Sequence, residues 1–331
     1  MDRLVQTAIV QVLEPEWDAT FSVHSHGFRP NHRQHDAIIE AQQYIAEGYE
    51  WVVDLDLEKF FDRVNHDRLM SQLAKGIEDK RLLKLVRSFL ESGVMIGGLV
   101  SPSEEGTPQG GPLSPFLSNV VLDELDRELE RRGHRFVRYA DDCNIYVRTE
   151  RAGRRVMDSV SRFITTKLKL KVNTTKSAVA RPEERKFLGF TFRTVGEKVE
   201  RLISVKSIQR VRQKTREITA RTRGKSLNDV IAELNSYLRG WAGYYRFTES
   251  RRQLESLDAW LRRRLRAYLW KQWKTARQRF AELTRLGVRR RLAKAAAGSS
   301  KGCWTMSHTK ALDIALSKAF FANAGLFSLA P

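Results

Sequence analysis

The sequence predicts a mixed α/β body followed by a basic, helical C-terminal region. Two observations support this fold class: strand-like and helical apolar patterns alternate over residues 1–200, and charge is divided unevenly along the chain. Residues 1–200 hold 30 Lys and Arg against 31 Asp and Glu, whereas residues 201–331 hold 29 against 8. We therefore draw the boundary between 194 and 206 and expect two domains, 1–200 and 201–331.

The apolar periodicity of the body gives its elements in order. Asn65, Asp79 and Ser114 are predicted N-caps, the last with Pro115 in the first helical turn and Leu117, Val121, Leu125 and Leu129 on one face. The other expected elements are a helix over 3–13 that ends near Pro15, a strand at 51–57, strands at 135–139 and 143–148, a helix over 152–168 and a strand at 187–193.

The C-terminal region is predicted to be helical and to bind a polyanion. SLND (226–229) opens a helix with a pattern typical of a capping box, and basic residues recur over 252–331. This region also holds most of the seven tryptophans. Lys and Arg neutralise phosphates while aromatic rings stack on bases, so nucleic acid is the expected partner. A solvated basic face and a membrane surface are the alternatives.

The compartment is predicted from three absences. No run of about 18 uncharged apolar residues occurs, so no membrane span is expected. The start MDRLVQTAIVQVLEP lacks the layout of a signal peptide. Cys143 and Cys303 support neither a disulfide framework nor a zinc site. We expect a reducing, cytoplasmic setting.

The pair Asp141–Asp142 lies between two apolar runs in RFVRYADDCNIYV (135–147). A strand–turn–strand hairpin would place both carboxylates at its tip, where they could converge on one cation. Asp54 and Asp56 share one face of an earlier strand because side chains alternate. Such carboxylates suit Mg²⁺, and two ions about 4 Å apart can activate a 3′-hydroxyl and stabilise leaving pyrophosphate. The alternative is a polar hairpin turn without metal.

Seven blocks of sequence follow one another in a specific order. They are GFRP (27–30) with HDAI (35–38), DLDLEKFFD (54–62), GTPQGGPLSPFLSN (106–119), YADD (139–142), NTTKS (173–177), FLGFTF (187–192) and LNSYLRGWAGYY (234–245). This order resembles that of reverse transcriptases, and the match is most similar to group II intron reverse transcriptase/maturases. The last block resembles their maturase region. The resemblance covers almost the whole chain.

The resemblance implies an α/β (α+β) palm-and-fingers reverse transcriptase fold followed by an α-helical thumb/maturase domain. It implies an RNA-directed DNA polymerase that also assists intron splicing and mobility, with two Mg²⁺ ions held by Asp56, Asp141 and Asp142 as catalytic residues. Asp56 is preferred to Asp54 because the family places an aromatic residue five positions further on, here Phe61. The implied partners are group II intron RNA, primer or target DNA and dNTPs, in a cytoplasmic ribonucleoprotein without membrane association.

Further site residues follow from the resemblance. The nucleotide- or template-binding residues are Phe61, Gln109, Gly110, Lys176 and Arg29, and the primer-supporting residues are Leu188 and Gly189. Core packing for Phe61, an ordinary turn for the glycine-rich loop, and solvated side chains for Lys176 and Arg29 are the alternatives. Separately, basic residues recur along one predicted helix, and we expect several to contact RNA phosphates: Arg262, Arg263, Arg264, Arg266, Lys271 and Lys274.

Departures from the family leave other hypotheses open. Relatives normally carry further N-terminal fingers segments, so the sequence is interpreted as N-terminally truncated. A maturase that binds RNA with weak or lost polymerase activity is therefore the alternative function. The tail has one Cys and one His, so no His- and Cys-rich endonuclease domain is expected. Retron or diversity-generating enzymes are a further alternative, which GTPQGGPLSP and LRGWAGYY disfavour. A zinc site at His24, His26, His32 and His35 is a minor hypothesis.

Overall fold

The computed structural model describes residues 2–92, 94–96, 99–101, 106 and 111–330. The chain forms two compact units, 1–199 and 200–331. The helices of the first unit are α1 (Asp2–Asp18), α2 (Gln34–Ala46), α3 (His66–Leu73), α4 (Lys80–Glu91), α5 (Ser114–Arg131) and α6 (Glu150–Phe163). Its strands are β1 (Trp51–Leu55), β2 (Val94–Ile96), β3 (Leu99–Ser101), β4 (Arg135–Tyr139), β5 (Asp142–Val147), β6 (Ala178–Ala180) and β7 (Phe190–Val195), and β8 (Lys198–Ile203) contains the boundary between the units.

Four strands of the first unit form an antiparallel sheet in the order β4-β5-β1-β6. The β1–β5 register runs from Trp51 opposite Val147 to Leu55 opposite Cys143. Because β1 and β5 run in opposite directions, the C-terminal end of β1 lies beside the start of β5. The β4–β5 turn is at that same end of the sheet. The sheet thus brings together two segments that are far apart in sequence.

Helices cover this sheet because its strands are apolar on both faces. Val53 and Ile145 join the core with the predicted α5 face, of which Leu117, Val121, Leu125 and Leu129 are all buried. A Cβ at Gly153 of α6 would lie only 2.5 Å from Cγ1 of Val179, so glycine permits the close packing of α6 on the sheet. On the opposite face, the Tyr44 ring of α2 lies 5.7 Å from that of Tyr146.

The second unit is built from helices. They are α7 (Val205–Ile218), α8 (Leu227–Tyr245), α9 (Arg251–Gln272), α10 (Ala276–Arg285), α11 (Arg290–Ala297), α12 (Cys303–Met306), α13 (Lys310–Ala315) and α14 (Lys318–Asn323). The predicted capping box of α8 is confirmed, because Ser226 and Asp229 each accept the other's backbone N–H. The carboxylate of Asp258 accepts backbone N–H groups of Leu329 and Ala330, which attaches the C-terminal segment to α9.

Several predicted element boundaries differ from the structure, and three of them have a clear physical reason. Helix α1 continues through Pro15 to Asp18, because the Trp17 ring packs at 5.9 Å against Phe116 and stabilises the last turn. Leu113 is the N-cap of α5, and the predicted cap Ser114 is its first helical residue. The strand predicted at 187–193 begins at Phe190 because the preceding residues form a tight turn. None of the described helices combines the length and apolar character required to cross a lipid bilayer.

Candidate active site

Asp141 and Asp142 lie where β4 turns into β5. Tyr139 pairs with Asp142 across the hairpin, which leaves Ala140 and Asp141 as the two turn residues. Ala140 has a φ of 56°, in the left-handed region that costs a non-glycine residue about 1–2 kcal/mol. The two adjacent carboxylates are therefore presented at the end of the sheet by a turn that the surrounding structure must hold in place.

The end of β1 lies beside this turn. Asp54 is opposite Asn144, and Leu55 is opposite Cys143. One further step along the same register would set Asp56 opposite Asp142. The predicted convergence of the two acidic segments is thus a direct consequence of strand pairing.

The four carboxylates repel one another electrostatically. Asp142 is partly exposed to solvent, but the surrounding protein removes part of the hydration of its carboxyl group. This desolvation, followed by the negative charge of Asp141, raises the pKa of Asp142 to about 6. Asp54 and Asp56 add further repulsion, and the Lys186 ammonium partly offsets it. The site therefore carries more negative charge than its own cations neutralise.

Asp56 keeps one carboxylate oxygen available. Its Oδ1 is buried and accepts no hydrogen bond from the residues described here. The Nζ of Lys176 lies 3.5 Å from this oxygen, close enough for charge attraction but without hydrogen-bond geometry. The backbone of Asp56 is fixed, since its N–H donates to Ser177 Oγ at 3.0 Å and its carbonyl accepts from Asn173 N at 2.8 Å.

Asp54 has a different environment from Asp56. Arg185 donates to Asp54 Oδ2 from Nε at 2.8 Å and from Nη2 at 2.5 Å. Burial raises the pKa of Asp54, and the Arg185 guanidinium opposes that effect. Asp54 is therefore already paired with a cation of the protein, whereas Asp56 has an oxygen free of hydrogen bonds. This difference supports Asp56 over Asp54 as the ligand at the end of β1.

The NTTKS segment positions Lys176 through a side-chain turn. Asn173 Oδ1 accepts from the Thr175 N–H at 3.2 Å, from the Thr175 hydroxyl at 2.7 Å and from the Lys176 N–H at 3.3 Å. Such Asn-centred turns fix a loop without regular secondary structure. Arg185 also donates to the Lys176 carbonyl at 2.7 Å. The lysine is thus held at its backbone while its ammonium reaches Asp56.

The β4–β5 turn is supported from inside the protein by Arg138. Its guanidinium donates to both carboxylate oxygens of Asp126, to Ser25 Oγ at 2.6 Å, to Asn119 Oδ1 at 3.1 Å and to the Ala140 carbonyl at 2.9 Å. Sequence reasoning missed this arginine and its partners. The available signal was a charged residue among the buried positions of β4, directly before YADD.

The loop that contains GFRP also packs on this turn. The Gly27 carbonyl accepts from Asn119 Nδ2 at 2.9 Å. A Cβ at Gly27 would lie 2.1 Å from the Ala140 nitrogen, a distance that no real contact allows. Glycine is therefore required where this loop crosses the turn.

The described residues contain no ready-made group of three or more His, Cys, Asp or Glu side chains that could hold a metal ion. The donor set nevertheless fits a divalent cation. Asp56 has a buried oxygen without a hydrogen bond, and Asp142 experiences a repulsion that a cation would relieve. Asp56, Asp141 and Asp142 are the residues that would hold such an ion.

Of the other residues predicted to contact nucleotide or primer, Phe61, Leu188 and Gly189 lie in tight turns. Phe61 belongs to a 3₁₀ turn and packs edge-on against Phe60 at 5.2 Å. Leu188 and Gly189 have φ of 48° and 84°, and the flanking Phe187 and Phe190 exchange two backbone hydrogen bonds of 2.9 Å around them. These features define a tight turn with both central residues in the left-handed region. Gln109 and Gly110 lie outside the described residues.

Arg29 is engaged by the protein itself. Its Nε donates to Asp18 Oδ1 at 2.6 Å, and its other nitrogens donate to the carbonyls of Asp18, Ser22 and Ser25. Its side chain is only 6% exposed. These contacts hold the loop to α1 and use most of the N–H donors of Arg29.

The basic residues predicted to bind RNA lie on and just beyond α9. Arg262 to Lys271 belong to the helix, and Lys274 lies after its last residue, Gln272. Arg264 donates to the Thr219 carbonyl and hydroxyl, and Arg266 pairs with Asp313. Part of the predicted basic face therefore stabilises the second unit itself.

The histidine-rich segment is organised by a carboxylate. Glu40 accepts from His24 and from Tyr44, and it lies 2.6 Å from His26 Nε2. Burial opposes ionisation of Glu40, but the hydrogen bonds from His24, His26 and Tyr44 outweigh it and lower its pKa to about 2. The contacts of Glu40 with His24 and His26 link α2 to the loop before it.

Comparison with known proteins gives two matches in succession along the chain. Residues 1–192 match the reverse transcriptase (RNA-dependent DNA polymerase) family, and residues 208–287 match the group II intron maturase-specific domain. Protein YkfC of Escherichia coli (strain K12) is 38% identical over 135 residues, which are 40% of this chain and 35% of YkfC. The group II intron-encoded protein LtrA of Lactococcus lactis subsp. cremoris is 35% identical over 126 residues, which are 38% of this chain and 21% of LtrA. The chain thus spans about a third or less of these relatives.

A solved structure supports the fold. Apo telomerase from Candida tropicalis has a TM-score of 0.50 at 13% identity, covering 98% of this chain and 59% of the telomerase chain. The predicted reverse transcriptase fold and the predicted kinship with group II intron proteins are confirmed. Since the first match covers more than half of the sequence, the chain belongs to the reverse transcriptase (RNA-dependent DNA polymerase) family and carries a group II intron maturase-specific domain.

Proposed function

We propose that this chain is an RNA-directed DNA polymerase of a group II intron. The observation that carries the proposal is the meeting of four carboxylates at one end of the sheet. Asp54 and Asp56 lie at and just after the end of β1, and Asp141 and Asp142 lie where β4 turns into β5. Desolvation by burial raises the pKa of Asp142, and repulsion from the other three carboxylates adds to this effect. A concentration of negative charge beside open carboxylate oxygens suits binding of divalent cations.

The cations are proposed to be two Mg²⁺ ions at Asp56, Asp141 and Asp142. Reverse transcriptases generally use divalent metals. Such ions supply activation of the primer 3′-hydroxyl and stabilisation of the leaving pyrophosphate. Asp56, Asp141 and Asp142 would supply the carboxylate oxygens that bind the ions. Lys176 adds a positive charge 3.5 Å from Asp56, and this charge can neutralise a substrate phosphate.

Substrate contacts are proposed around this centre. Phe61 lies close after β1, where it can pack against the sugar of an incoming dNTP. Leu188 and Gly189 form a tight turn that can support the primer strand. Gln109 and Gly110 remain proposed template or nucleotide contacts. Because Arg29 is engaged by Asp18 and backbone carbonyls, we assign it to holding the loop rather than to direct substrate contact.

Primer extension on an RNA template with Mg²⁺ and dNTPs tests this proposal. Wild-type protein should extend the primer, and the Asp141→Ala/Asp142→Ala variant should give only background. Asp158→Ala is the matched control, because Asp158 is an exposed aspartate of α6. Equal product from wild type and the double variant would refute catalysis by this chain.

A second activity, assistance of intron splicing, is proposed for residues 201–331. The match of residues 208–287 to the maturase-specific domain and the excess of 29 basic over 8 acidic residues favour it. The proposed domains are accordingly a fingers/palm at 1–200 and a thumb/maturase at 201–331. The proposed partners are group II intron RNA, primer or target DNA and dNTPs, in a cytoplasmic ribonucleoprotein.

Splicing of a group II intron RNA at low Mg²⁺ tests the maturase proposal separately. The Asp141→Ala/Asp142→Ala variant should still accelerate splicing, because the proposed RNA contacts lie in the other unit. RNA affinity should also fall steeply with salt, since neutralised phosphates release counterions. Splicing without polymerisation in the wild type would leave the chain as a maturase alone. No acceleration of splicing together with a flat salt dependence would refute the maturase proposal.

A further inference from the structure

Two partly exposed tryptophans of the C-terminal unit lie among arginine side chains. Trp304 is 38% exposed, and Trp260 is partly exposed. By contrast, Trp270 and Trp273 are buried. We name the following residues of α7, α9 and α12 the Arg–Trp surface: Arg212, Arg216, Trp260, Arg263, Arg264 and Trp304.

One end of the Arg–Trp surface is a stacked pair. The Arg263 guanidinium lies 4.0 Å from the centre of the Trp304 ring, and that of Arg264 lies 6.0 Å away. Arg263 is held there, since it donates to Ser307 Oγ and to the Trp304 carbonyl, each at 3.4 Å. The planar cation and the ring are thus preorganised, and Trp304 still presents area to solvent.

At the other end, two cations of α7 approach one ring. The guanidiniums of Arg212 and Arg216 each lie 5.7 Å from the centre of the Trp260 ring. Arg264 joins the two ends, because its Nη2 lies 3.5 Å from the Arg216 carbonyl and its guanidinium approaches Trp304. The six side chains therefore form one continuous surface.

The positive charge of the Arg–Trp surface is not neutralised by nearby carboxylates. No Asp or Glu of the described chain forms an ion pair with any of its four arginines. Burial, followed by the neighbouring charges of Arg221 and Arg216, lowers the pKa of Arg264. In addition, the Nε of Arg212 is buried without a hydrogen-bond partner among the described residues. A cluster of like charges beside an unsatisfied donor favours an anionic ligand.

We propose that the Arg–Trp surface binds unpaired stretches of RNA, with Arg212, Arg216 and Arg263 on phosphates and its two rings stacked on bases. Arg264 is hydrogen-bonded to Thr219 and holds the two ends of the surface together. Single strands expose base faces that stack on aromatic and guanidinium planes, whereas the bases of a duplex are already stacked on one another. The inference rests on the proposed RNA-binding function and adds a site and a strandedness to it. Trp304 lies beyond the residues 208–287 that match the maturase-specific domain, so this match does not include the whole surface.

Fluorescence anisotropy with the full chain tests the proposal. The probes are an unstructured single-stranded RNA of about 12 nucleotides and a duplex of the same strand length. We expect Trp260→Leu and Trp304→Leu each to weaken single-strand binding by about tenfold and duplex binding by less than about twofold. The variants Trp260→Tyr and Trp304→Tyr keep a stacking ring and should retain most of the affinity.

Arg291→Gln is the control for charge, because Arg291 is an exposed arginine of α11 outside the surface. It should weaken binding of both probes slightly and equally. Melting curves identify a variant that has lost its fold, and the Tyr variants then supply the comparison. Equal losses for single strand and duplex, or no loss in the Leu variants, would overturn the proposed site while leaving RNA binding intact. Absence of binding to both probes by the wild type would overturn the RNA-binding function as well.

Discussion

The guanidinium of Arg138 and the carboxylate of Asp126 form an ion pair with both side chains completely buried, at a distance of 2.6 Å between Arg138 Nη2 and Asp126 Oδ2. A fully buried ion pair is stable only with good geometry and further hydrogen bonds, because both charges lose their hydration. Arg138 meets this condition, and one of its hydrogen bonds goes to the carbonyl of Ala140 in the turn that carries the acidic pair. The pair therefore connects the stability of the protein to the position of the proposed metal ligands.

Removing one partner of this ion pair should lower the free energy of unfolding much more than removing both. Arg138→Leu leaves the Asp126 carboxylate buried without compensation, so we expect the free energy of unfolding to fall by about 3–5 kcal/mol. In the Arg138→Leu/Asp126→Leu double variant most of that loss should be recovered. Primer extension should stay low in the double variant, because the Ala140 carbonyl still lacks its donor.

Urea unfolding of the wild type and the variants measures the first effect, and primer extension measures the second. If the double variant is as unstable as the single one, the ion-pair explanation is wrong. If activity returns together with stability, Arg138 supports only the fold and does not position the turn.

The acidic site should make the metal-free protein less stable at high pH. The folded-state pKa of Asp142 is about 6, above its ordinary value, so the folded state holds this proton more tightly than the unfolded chain. Stability should therefore fall as the pH rises through about 4 to 6, and remain reduced above that window. Asp142→Asn should remove this loss and raise the free energy of unfolding at about pH 8 by about 1 kcal/mol, a figure discounted for solvent exposure.

Urea unfolding across this pH range, without divalent cations, checks the prediction. Asp158→Asn removes an exposed aspartate of α6 and should leave the pH profile unchanged. A wild-type profile that is flat across the window, or an identical slope in Asp142→Asn, would contradict the electrostatic crowding described here.

Lys176 should affect metal binding and catalysis in opposite directions. Its ammonium lies 3.5 Å from the Asp56 oxygen that is free of hydrogen bonds, where it competes with a divalent cation for the same carboxylate. Lys176→Met should therefore tighten Mn²⁺ binding in the absence of nucleotide by about 2–5-fold. The rate of nucleotide incorporation should fall by about tenfold or more, since a positive charge near the substrate phosphates is lost.

Mn²⁺ titration by calorimetry and single-nucleotide incorporation provide the two measurements. Lys171→Met is the control, because Lys171 pairs with Glu58 rather than with an acidic residue of the site. Parallel changes in the Lys171 and Lys176 variants would show that only overall charge matters.

Gly27 should tolerate no side chain. Because a Cβ there would meet the Ala140 nitrogen at 2.1 Å, Gly27→Ala must displace either the loop or the turn. We expect a loss of about 1–3 kcal/mol of stability and a large loss of primer extension. Gly240→Ala is the control, since a Cβ at this helical position meets nothing within 4 Å and should stabilise α8 by about 0.5–1 kcal/mol. Thermal unfolding and primer extension of both variants measure these effects. Full primer-extension activity of Gly27→Ala would contradict the close packing of Gly27 on Ala140.

Much of the four-stranded sheet could be predicted from local sequence, because a hairpin and its alternating strands depend on neighbouring residues. RFVRYADDCNIYV indicated both strands and the acidic turn, and the structure differs only by a residue in β5. The choice of Asp56 over Asp54 came from the family spacing to Phe61. The structure adds a physical reason, since Asp54 is paired with Arg185, a residue 131 positions away. No periodicity in the sequence indicates so distant a partner.

Charge counts likewise predicted a basic C-terminal unit but not the use of each arginine. Arg264 and Arg266 belong to the same predicted basic helix as Arg263, yet their donors are directed to Thr219 and to Asp313. Which guanidinium remains available depends on how neighbouring helices pack, and that packing is a property of the tertiary structure. The two tryptophans of the Arg–Trp surface lie 44 positions apart, and each is contacted by its own pair of arginines. Their connection through Arg264, which approaches both the Arg216 carbonyl and the Trp304 ring, was equally hidden.

The most direct test of a metal site at Asp56, Asp141 and Asp142 replaces Mg²⁺ with Fe²⁺. Hydrogen peroxide and ascorbate then generate radicals at the bound iron that cleave the nearby backbone, and the cut sites are mapped by mass spectrometry. We predict cuts at the end of β1, near Asp56, and in the β4–β5 turn, near Asp141 and Asp142. Excess Mg²⁺ should suppress both, and the Asp141→Ala/Asp142→Ala variant should lose both while retaining any cuts elsewhere. Cuts at only one of the two segments, or cuts that persist in the double variant, would contradict a single metal site shared by β1 and the turn.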